Sequence, residues 1–217
     1  MATDETKSRI LDTAGPVFAE KGFRDTTIRE LCEKAGVGLA SVNYHFRDKQ
    51  QLYVQVVEQA YDQVRQHRPK PMKWPPGTPV AEKLRTWVRH VVEAVTAEEE
   101  DDWQDVLVTR ELRDPTPACE DTLRRRIHED LEPLFDIIDE VFGPELPSPE
   151  RWRLIFSVLG QCLFYDTHSQ AIRFIMANDA EGRACEPGHI AEHISAMFLA
   201  AIGEAPPLTV TRGRAQS

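Results

Sequence analysis

Apolar residues recur along this 217-residue chain at three- and four-residue intervals, and period-two alternation is nearly absent, so the pattern predicts helices throughout. From Asp4 to Lys21, the residues Ile10, Leu11, Ala14, Val17 and Phe18 share one helical face, and Gly22 is the expected stop. Gly15-Pro16 inside this stretch predicts a kink, because proline removes a backbone donor. Thr27-Ile28-Arg29-Glu30 has capping-box spacing: the Thr27 hydroxyl accepts from an orphan amide and the Glu30 carboxylate reaches back to the Thr27 N–H. That opens a short helix through Lys34, closed by Gly36. Gly36-Val37-Gly38 predicts a tight turn, and Leu39 to His45 a third helix that Arg47-Asp48 ends. A fourth helix, from about Lys49 to Gln66, aligns Leu52, Val56, Val57, Ala60 and Val64.

Residues 67–79 hold Pro69, Pro71, Pro75, Pro76 and Pro79, which excludes a helix and predicts a stiff connector. Pro79 suits the first turn of the next helix, which aligns Leu84, Trp87, Val88, Val91, Val92 and Val95. The acidic run Glu98 to Asp102 reads as a solvated turn ahead of a helix at 103–113. Thr116-Pro117 starts a helix carrying Leu123, Ile127, Leu131, Leu134, Phe135, Ile138 and Phe142. The longest apolar helix is predicted over 149–178. Trp152, Ile155, Phe156, Leu159, Cys162 and Leu163 lie on one side of it, and Leu154, Val158 and Phe164 on others, so burial on more than one face is expected. A last helix spans about 187–202, and the tail from 204 is expected to be disordered. The fold class is all-α, with about nine helices and no sheet. The predicted divisions are a helix-turn-helix domain at 1–48, a connecting helix at 49–66, the linker at 67–79, a helical domain at 80–203 and the tail at 204–217.

Composition narrows the class. Apolar residues are 41% and charged residues 29%, a globular balance. The longest mostly apolar run, Leu154 to Tyr165, is too short to span a bilayer, and the N-terminus has no apolar signal segment. Cys32, Cys119, Cys162 and Cys185 show no paired spacing, which fits a reduced, cytoplasmic setting without membrane attachment. The net charge of −10 is uneven: residues 1–70 hold 11 Lys/Arg against 10 Asp/Glu, a net of +1, leaving −11 for the rest. Contact with DNA must therefore come from a few well-placed side chains in the head, since phosphate repels the acidic body.

No enzyme signature is visible: no glycine-rich phosphate loop, HExxH, GxSxG or paired-cysteine site. No catalytic residue, cofactor or metal is expected. Cys185, His189 and His193 have spacing that zinc would accept, but such histidines are ordinarily surface residues. The chemistry-bearing feature is the head, where a capped short helix, a glycine turn and a second short helix form a helix-turn-helix. Its second helix offers Ser41, Asn43, Tyr44 and His45 as hydrogen-bonding groups, with Val42 and Phe46 free to face inward. Lys49, opening the next helix, suits a phosphate.

Residues 9–57 closely resemble the DNA-binding domain of the TetR family of transcriptional regulators. The matching pieces are F-A-E-K-G-F at 18–23, T-T-I-R-E-L at 26–31, A-G-V at 35–37, Y-H-F at 44–46 and K-x-x-L at 49–52. V-N-Y-H-F at 42–46, R-E-L at 110–112 and G-Q-C-L-F at 160–164 are also similar to the CecR-type branch. The resemblance implies that Arg29 reaches a base or phosphate. It places Leu39, Ala40, Ser41 and Asn43 before bases, and Thr27, Tyr44, His45 and Lys49 on the DNA backbone. Pro16 and Gly38 depart from the family pattern, Gly38 because it leaves the recognition helix without a side-chain cap.

The resemblance further implies a homodimer and a ligand-binding domain. The surplus apolar faces at 149–178 and 187–202 suit a four-helix interface, with Ile155, Leu159, Cys162, Leu163, Ile194 and Phe198 as candidates. Trp87, Trp103, Arg110 and Phe135 are candidates for an effector pocket, although aromatic residues at helical spacing are more often core. Arg110 either joins a salt bridge, with Glu111 or another helix's carboxylate, or anchors an aromatic or acidic effector. The expected function is a regulator, a repressor, released from a palindromic double-stranded operator by a small molecule. The alternative is a DNA-binding regulator with no small-molecule effector, whose C-terminal domain serves dimerisation or a protein partner.

Overall fold

The computed structural model describes residues 2–67, 72–97, 102–175 and 186–206, and every regular element among them is helical. The first four helices are α1 (Ala2–Asp25), α2 (Ile28–Ala35), α3 (Leu39–Phe46) and α4 (Lys49–His67). After them come α5 (Val80–Thr96), α6 (Trp103–Arg113) and a 3-10 turn at Pro117–Cys119 that leads into α7 (Glu120–Phe142). The chain continues through α8 (Ser148–Thr167), α9 (Ser169–Ile175) and α10 (Pro187–Ala201). The all-α reading holds, with ten α-helices among the described residues.

Three local expectations change. The break in α1 falls at Gly22 rather than Pro16. Gly22 adopts φ 78° and ψ 176°, a conformation that L side chains resist, yet helical structure resumes to Asp25. Pro16 continues the helix with its ring exposed. The Thr27 hydroxyl accepts from the Glu30 amide at 3.2 Å as expected, but the Glu30 carboxylate is taken by Lys21 at 2.6 Å. The ammonium beside it holds the Glu30 carboxyl below the usual carboxylate range. The single helix expected over 149–178 is two, α8 and α9, separated at His168; residues 176–178 lie outside the described residues. So do 68–71 of the linker, 98–101 of the acidic turn, and 207–217 of the tail.

Contacts group the chain into two compact units. The first comprises Met1–Lys70 with Glu99–Asp130; the second comprises Pro71–Glu98 with Leu131–Ser217. The sequence reading had assigned 99–130 to the C-terminal domain, whereas α6 packs on α1 and α4 within the first unit. That unit's core contains Ile10, Ala14, Phe18, Leu31, Val42, Phe46, Leu52, Tyr53, Val57 and Leu107. In the second unit α5 packs against α8 and α10, burying Leu84, Trp87, Val88, Ile155, Val158, Ile194 and Phe198. No helix among the described residues is long and apolar enough to cross a membrane.

Candidate nucleic-acid interface

The α2–α3 corner follows from its glycines. Gly36 takes a left-handed conformation (φ 64°, ψ 37°), and the Val37 N–H then closes α2 by donating to the Cys32 carbonyl at 3.0 Å. The next helix starts from Gly38, which offers no side-chain cap, as expected. α3 is eight residues long and anchored by Val42 and Phe46, both buried. Its opposite face carries Leu39, Ala40, Asn43 and Tyr44 into solvent, with Ser41 and His45 half-buried. Leu39 is 56% exposed and Tyr44 77%. Tyr44 is therefore no core residue; its ring stands edge-on to His45 at 5.1 Å. A short helix with an apolar underside and an outward row of hydrogen-bonding and small side chains has the shape that enters a major groove.

The residues expected on the DNA backbone behave differently from one another. Thr27 is the α2 N-cap. Arg29, 89% exposed, pairs along α2 with Glu33 at 3.0 Å. Lys49 is already engaged: its ammonium donates to the carbonyls of Phe23 at 2.8 Å and Thr26 at 2.9 Å and lies 4.3 Å from the Phe23 ring centre. Those carbonyls sit at the end of α1 and the approach to α2, so Lys49 ties three helices together. It opens α4 as expected, but two of its three N–H donors are spent within the chain.

Arg47 was not singled out from the sequence. It is the non-glycine residue with positive φ among those described (φ 65°, ψ −53°). The Asp48 N–H donates to the Phe46 carbonyl at 2.8 Å, closing a three-residue γ-turn of the strained, positive-φ kind. No sequence signal marks it, since such turns are expected at glycine. The turn leaves the exposed Arg47 side chain directly beyond α3.

Trp103 and Arg110 lie in the first unit, on α1, rather than lining a site with an effector. The Trp103 ring covers Gly15, and the Arg110 Nη2 donates to the Glu20 carbonyl at 3.3 Å. Arg110 thus makes neither the expected bridge to Glu111 nor one to another carboxylate. Glu111, 1% exposed, accepts from the Tyr53 hydroxyl at 2.5 Å, the Thr116 hydroxyl at 2.7 Å and the Thr116 amide at 3.0 Å. Burial, then the hydrogen bond to Glu111, pushes the Tyr53 phenol far up. Tyr53 itself packs on Phe18 and Phe23 of α1 at 4.7 and 5.0 Å between ring centres. Sequence reading missed this node because a glutamate inside a helical pattern reads as solvated.

Trp87 and Phe135 belong to the second unit; Trp87 is buried, and Phe135 stands edge-on to Trp152 at 4.9 Å. The expected interface residues are corrected by burial. Ile155, Cys162, Ile194 and Phe198 face the unit's own core and Leu159 is half-buried, leaving only Leu163 of the six exposed. The outward apolar residues are instead Phe156, Leu163 and Phe164 on α8, Phe174 and Ile175 on α9, and Met197 on α10. Periodicity identified α8 as apolar on two faces but not which face the chain covers. Cys185 lies outside the described residues, and among the described ones no three metal-ligating side chains cluster; His189 meets Glu186 at 3.2 Å.

Comparison with known proteins bears on the head and the rest separately. Residues 10–56 match the family described as bacterial regulatory proteins, tetR family. Residues 80–202, more than half of the chain, match the C-terminal domain of the HTH-type transcriptional dual regulator CecR. The chain belongs to the TetR family, with a CecR-type C-terminal domain. Among individual members, it is 30% identical to the HTH-type transcriptional regulator AcrR of Shigella flexneri over 95 residues, 44% of either chain. It is 36% identical to IcaR, the negative transcriptional regulator of the biofilm operon icaADBC in Staphylococcus aureus, over 56 residues, 26% of this chain and 30% of IcaR. The chain thus spans less than half the length of these curated relatives. The TetR fold extends further than the sequence likeness. A TetR-family regulator from Shewanella sp. PV-4 superposes with a TM-score of 0.53 at 19% identity, covering 90% of this chain and 97% of that one. AibR, solved with isovaleryl coenzyme A and operator DNA, superposes with a TM-score of 0.51 at 18% identity, covering 88% and 97%.

Proposed function

We propose that this TetR-family chain is a sequence-specific transcriptional regulator, acting as a repressor, that inserts α3 into the major groove of a two-fold operator as a homodimer. The observation that carries the reading is the α3 face: Leu39, Ala40, Asn43 and Tyr44 stand in solvent on a helix anchored by buried Val42 and Phe46. Ser41 and Asn43 read base edges, while Thr27, Arg29, Tyr44, His45 and Lys49 flank them toward phosphate. The exposed apolar stripe of Phe156, Leu163 and Phe164 has the i, i+7, i+8 spacing of one helix face and supports pairing of two copies through α8. Two copies present two recognition helices to half-sites about one helical turn, roughly 34 Å, apart.

The test is selection of bound duplexes from a random pool by the full chain. The expected product is an enriched two-fold sequence whose two halves are lost together in binding by Asn43→Ala or Ser41→Ala. Enrichment of no sequence, or of one unaffected by both substitutions, overturns the reading. Release by an effector is the finer part of the proposal, and AibR's ligand puts acyl-coenzyme A thioesters among the compounds to screen by thermal shift and release of the selected duplex. A regulator without an effector, its C-terminal domain used for assembly alone, is what uniform failure of that screen establishes.

A further inference from the structure

Gly15 stands in the interior of α1 beside Pro16, where both residues disfavour a helix. Its occupant explains it. A Cβ built there would lie 2.5 Å from Cζ3 and 2.7 Å from Cζ2 of the Trp103 indole, so only glycine lets the ring of α6 lie flat on α1. Seven residues later the arrangement repeats. A Cβ on Gly22 would lie 2.5 Å from the Arg110 Nη1, and the Nη2 of the same guanidinium donates to the Glu20 carbonyl. Gly15 to Gly22 and Trp103 to Arg110 are equal steps of seven, nearly two turns and about 10.5 Å along a helix. The two contacts therefore fix both the rotation and the register of α6 on α1, with the helices running in the same direction.

The second contact falls where it governs the DNA-binding corner. After Gly22 breaks α1, the Gly22 carbonyl accepts from the Thr26 hydroxyl at 2.8 Å, and Lys49 holds the Phe23 and Thr26 carbonyls. Arg110 takes Glu20, one turn earlier. Carbonyls at a helix C-terminus carry partial negative charge, and cations from α4 and α6 converge on this one. α2 begins two residues after α1 ends, at Ile28, and carries α3 with it. A partly exposed bond of 3.3 Å contributes little to overall stability, so a residue held there between two glycines acts through geometry.

We propose that Arg110 is a positioning residue for operator binding. With Trp103 it seats α6 on the Gly15–Gly22 face of α1 and so fixes the end of α1 from which the recognition helix is suspended, without touching DNA. This rests on the DNA-binding reading above, and the two fail differently. If the wild-type chain selects no duplex, that reading falls and this one with it. If the wild type binds its selected duplex and the seat variants bind as well, only this inference falls.

The experiment compares full-length wild type, Arg110→Met and Gly15→Ala on the selected duplex, with melting temperature and salt dependence measured for each. Arg110→Met is expected to stay folded, to lose about ten-fold in affinity, and to keep the wild-type slope of log affinity against log salt. A slope flattened by about 0.9 would show a lost phosphate contact and make Arg110 a DNA ligand, overturning the proposal. Unchanged affinity overturns it equally. Gly15→Ala provides an independent arm: alanine improves an ordinary helix interior, so a higher melting temperature with unchanged binding refutes the seat. The expected result is lower affinity, restored in part by Trp103→Leu in the same chain, because the smaller side chain vacates the space of the new methyl. Failure of the double variant to regain affinity over Gly15→Ala also counts against it.

Discussion

Lys49 was expected to act on phosphate, and its contacts within the chain make a sharper prediction than that role alone. Lys49→Met keeps the apolar stem against Phe23 but removes two charge-assisted hydrogen bonds and the ammonium over the ring. Such bonds are worth about 1.5–3 kcal/mol each when buried, and a cation over an exposed aromatic face about 0.5–1 kcal/mol. Lys49 is half-buried, so solvent screens a large part of that sum, and about 2 kcal/mol is the expected net loss. In a chain of this size that lowers the melting temperature by about 4–8 °C. An exposed lysine waiting for phosphate would change stability by less than about 0.5 kcal/mol. Urea unfolding with an unchanged m-value measures the loss directly. The same variant's salt dependence on DNA reads the third N–H: a slope flattened by about 0.9 per contact adds a phosphate role to the structural one. A wild-type unfolding midpoint would refute the tie between α1, α2 and α4.

Three further outcomes follow from the same structure. Arg47→Gly relieves the positive-φ γ-turn and is expected to raise the urea midpoint by about 1 kcal/mol, and no gain would mean that the turn stores no strain. Phe164→Asp is expected to give folded monomers in sedimentation, whereas Phe198→Asp, which places a charge in the second unit's core, should unfold it; a dimer intact in Phe164→Asp moves the interface elsewhere. Burial pushes the Cys119 and Cys162 thiols up to about 12, so the folded chain keeps both protons in alkali that the unfolded chain has lost. Their contribution is fully present below the ordinary thiol pKa near 9 and is lost as pH rises from there toward 12, by at most about 1.4 kcal/mol per pH unit for each. The Cys119→Ala, Cys162→Ala double variant should flatten that alkaline decline, and equal slopes for both proteins would refute the assignment.

What could be read from the sequence was local. The α2–α3 corner was legible because Thr27, Gly36 and Gly38 dictate where helices start and stop through their own backbone chemistry, and because Val42 and Phe46 are spaced to anchor α3. The all-α class was legible from periodicity. Partner choice was not. Trp103 and Arg110 sit among apolar neighbours whether they face a ligand or another helix, and only the matching glycines on α1, some ninety residues away, decide between those readings. The two apolar faces of α8 are equivalent on a helical wheel until α5 and α10 cover one of them. Glu111 is invisible for a related reason: burying a carboxylate is favourable only when Tyr53 and Thr116 are brought to it by the fold.

The same partner choices bound how strongly salt can act on DNA binding. Residues 2–49 hold Lys7, Arg9, Lys21, Arg24, Arg29, Lys34, Arg47 and Lys49. Lys21 and Lys34 are paired with Glu30, and Arg29 with Glu33. The remaining five have no carboxylate partner among the described residues. Each phosphate neutralised on duplex DNA contributes about −0.9 to the slope of log affinity against log salt, so a dimer using all five cations twice reaches about −9 at the limit. The acidic remainder of the chain adds nothing, being repelled. The expected slope on the selected duplex is therefore no steeper than about −9, and shallower wherever Lys49 stays on its carbonyls. The exposed Arg29–Glu33 pair is the one that DNA can most easily open, since a surface ion pair is worth at most about 1 kcal/mol. If Arg29 leaves Glu33 for phosphate, Glu33→Gln should tighten binding while leaving the slope unchanged, because the contact already exists. A measured slope well beyond −9 would show that the paired lysines are released too, and the division of these eight cations into free and spent would then be wrong.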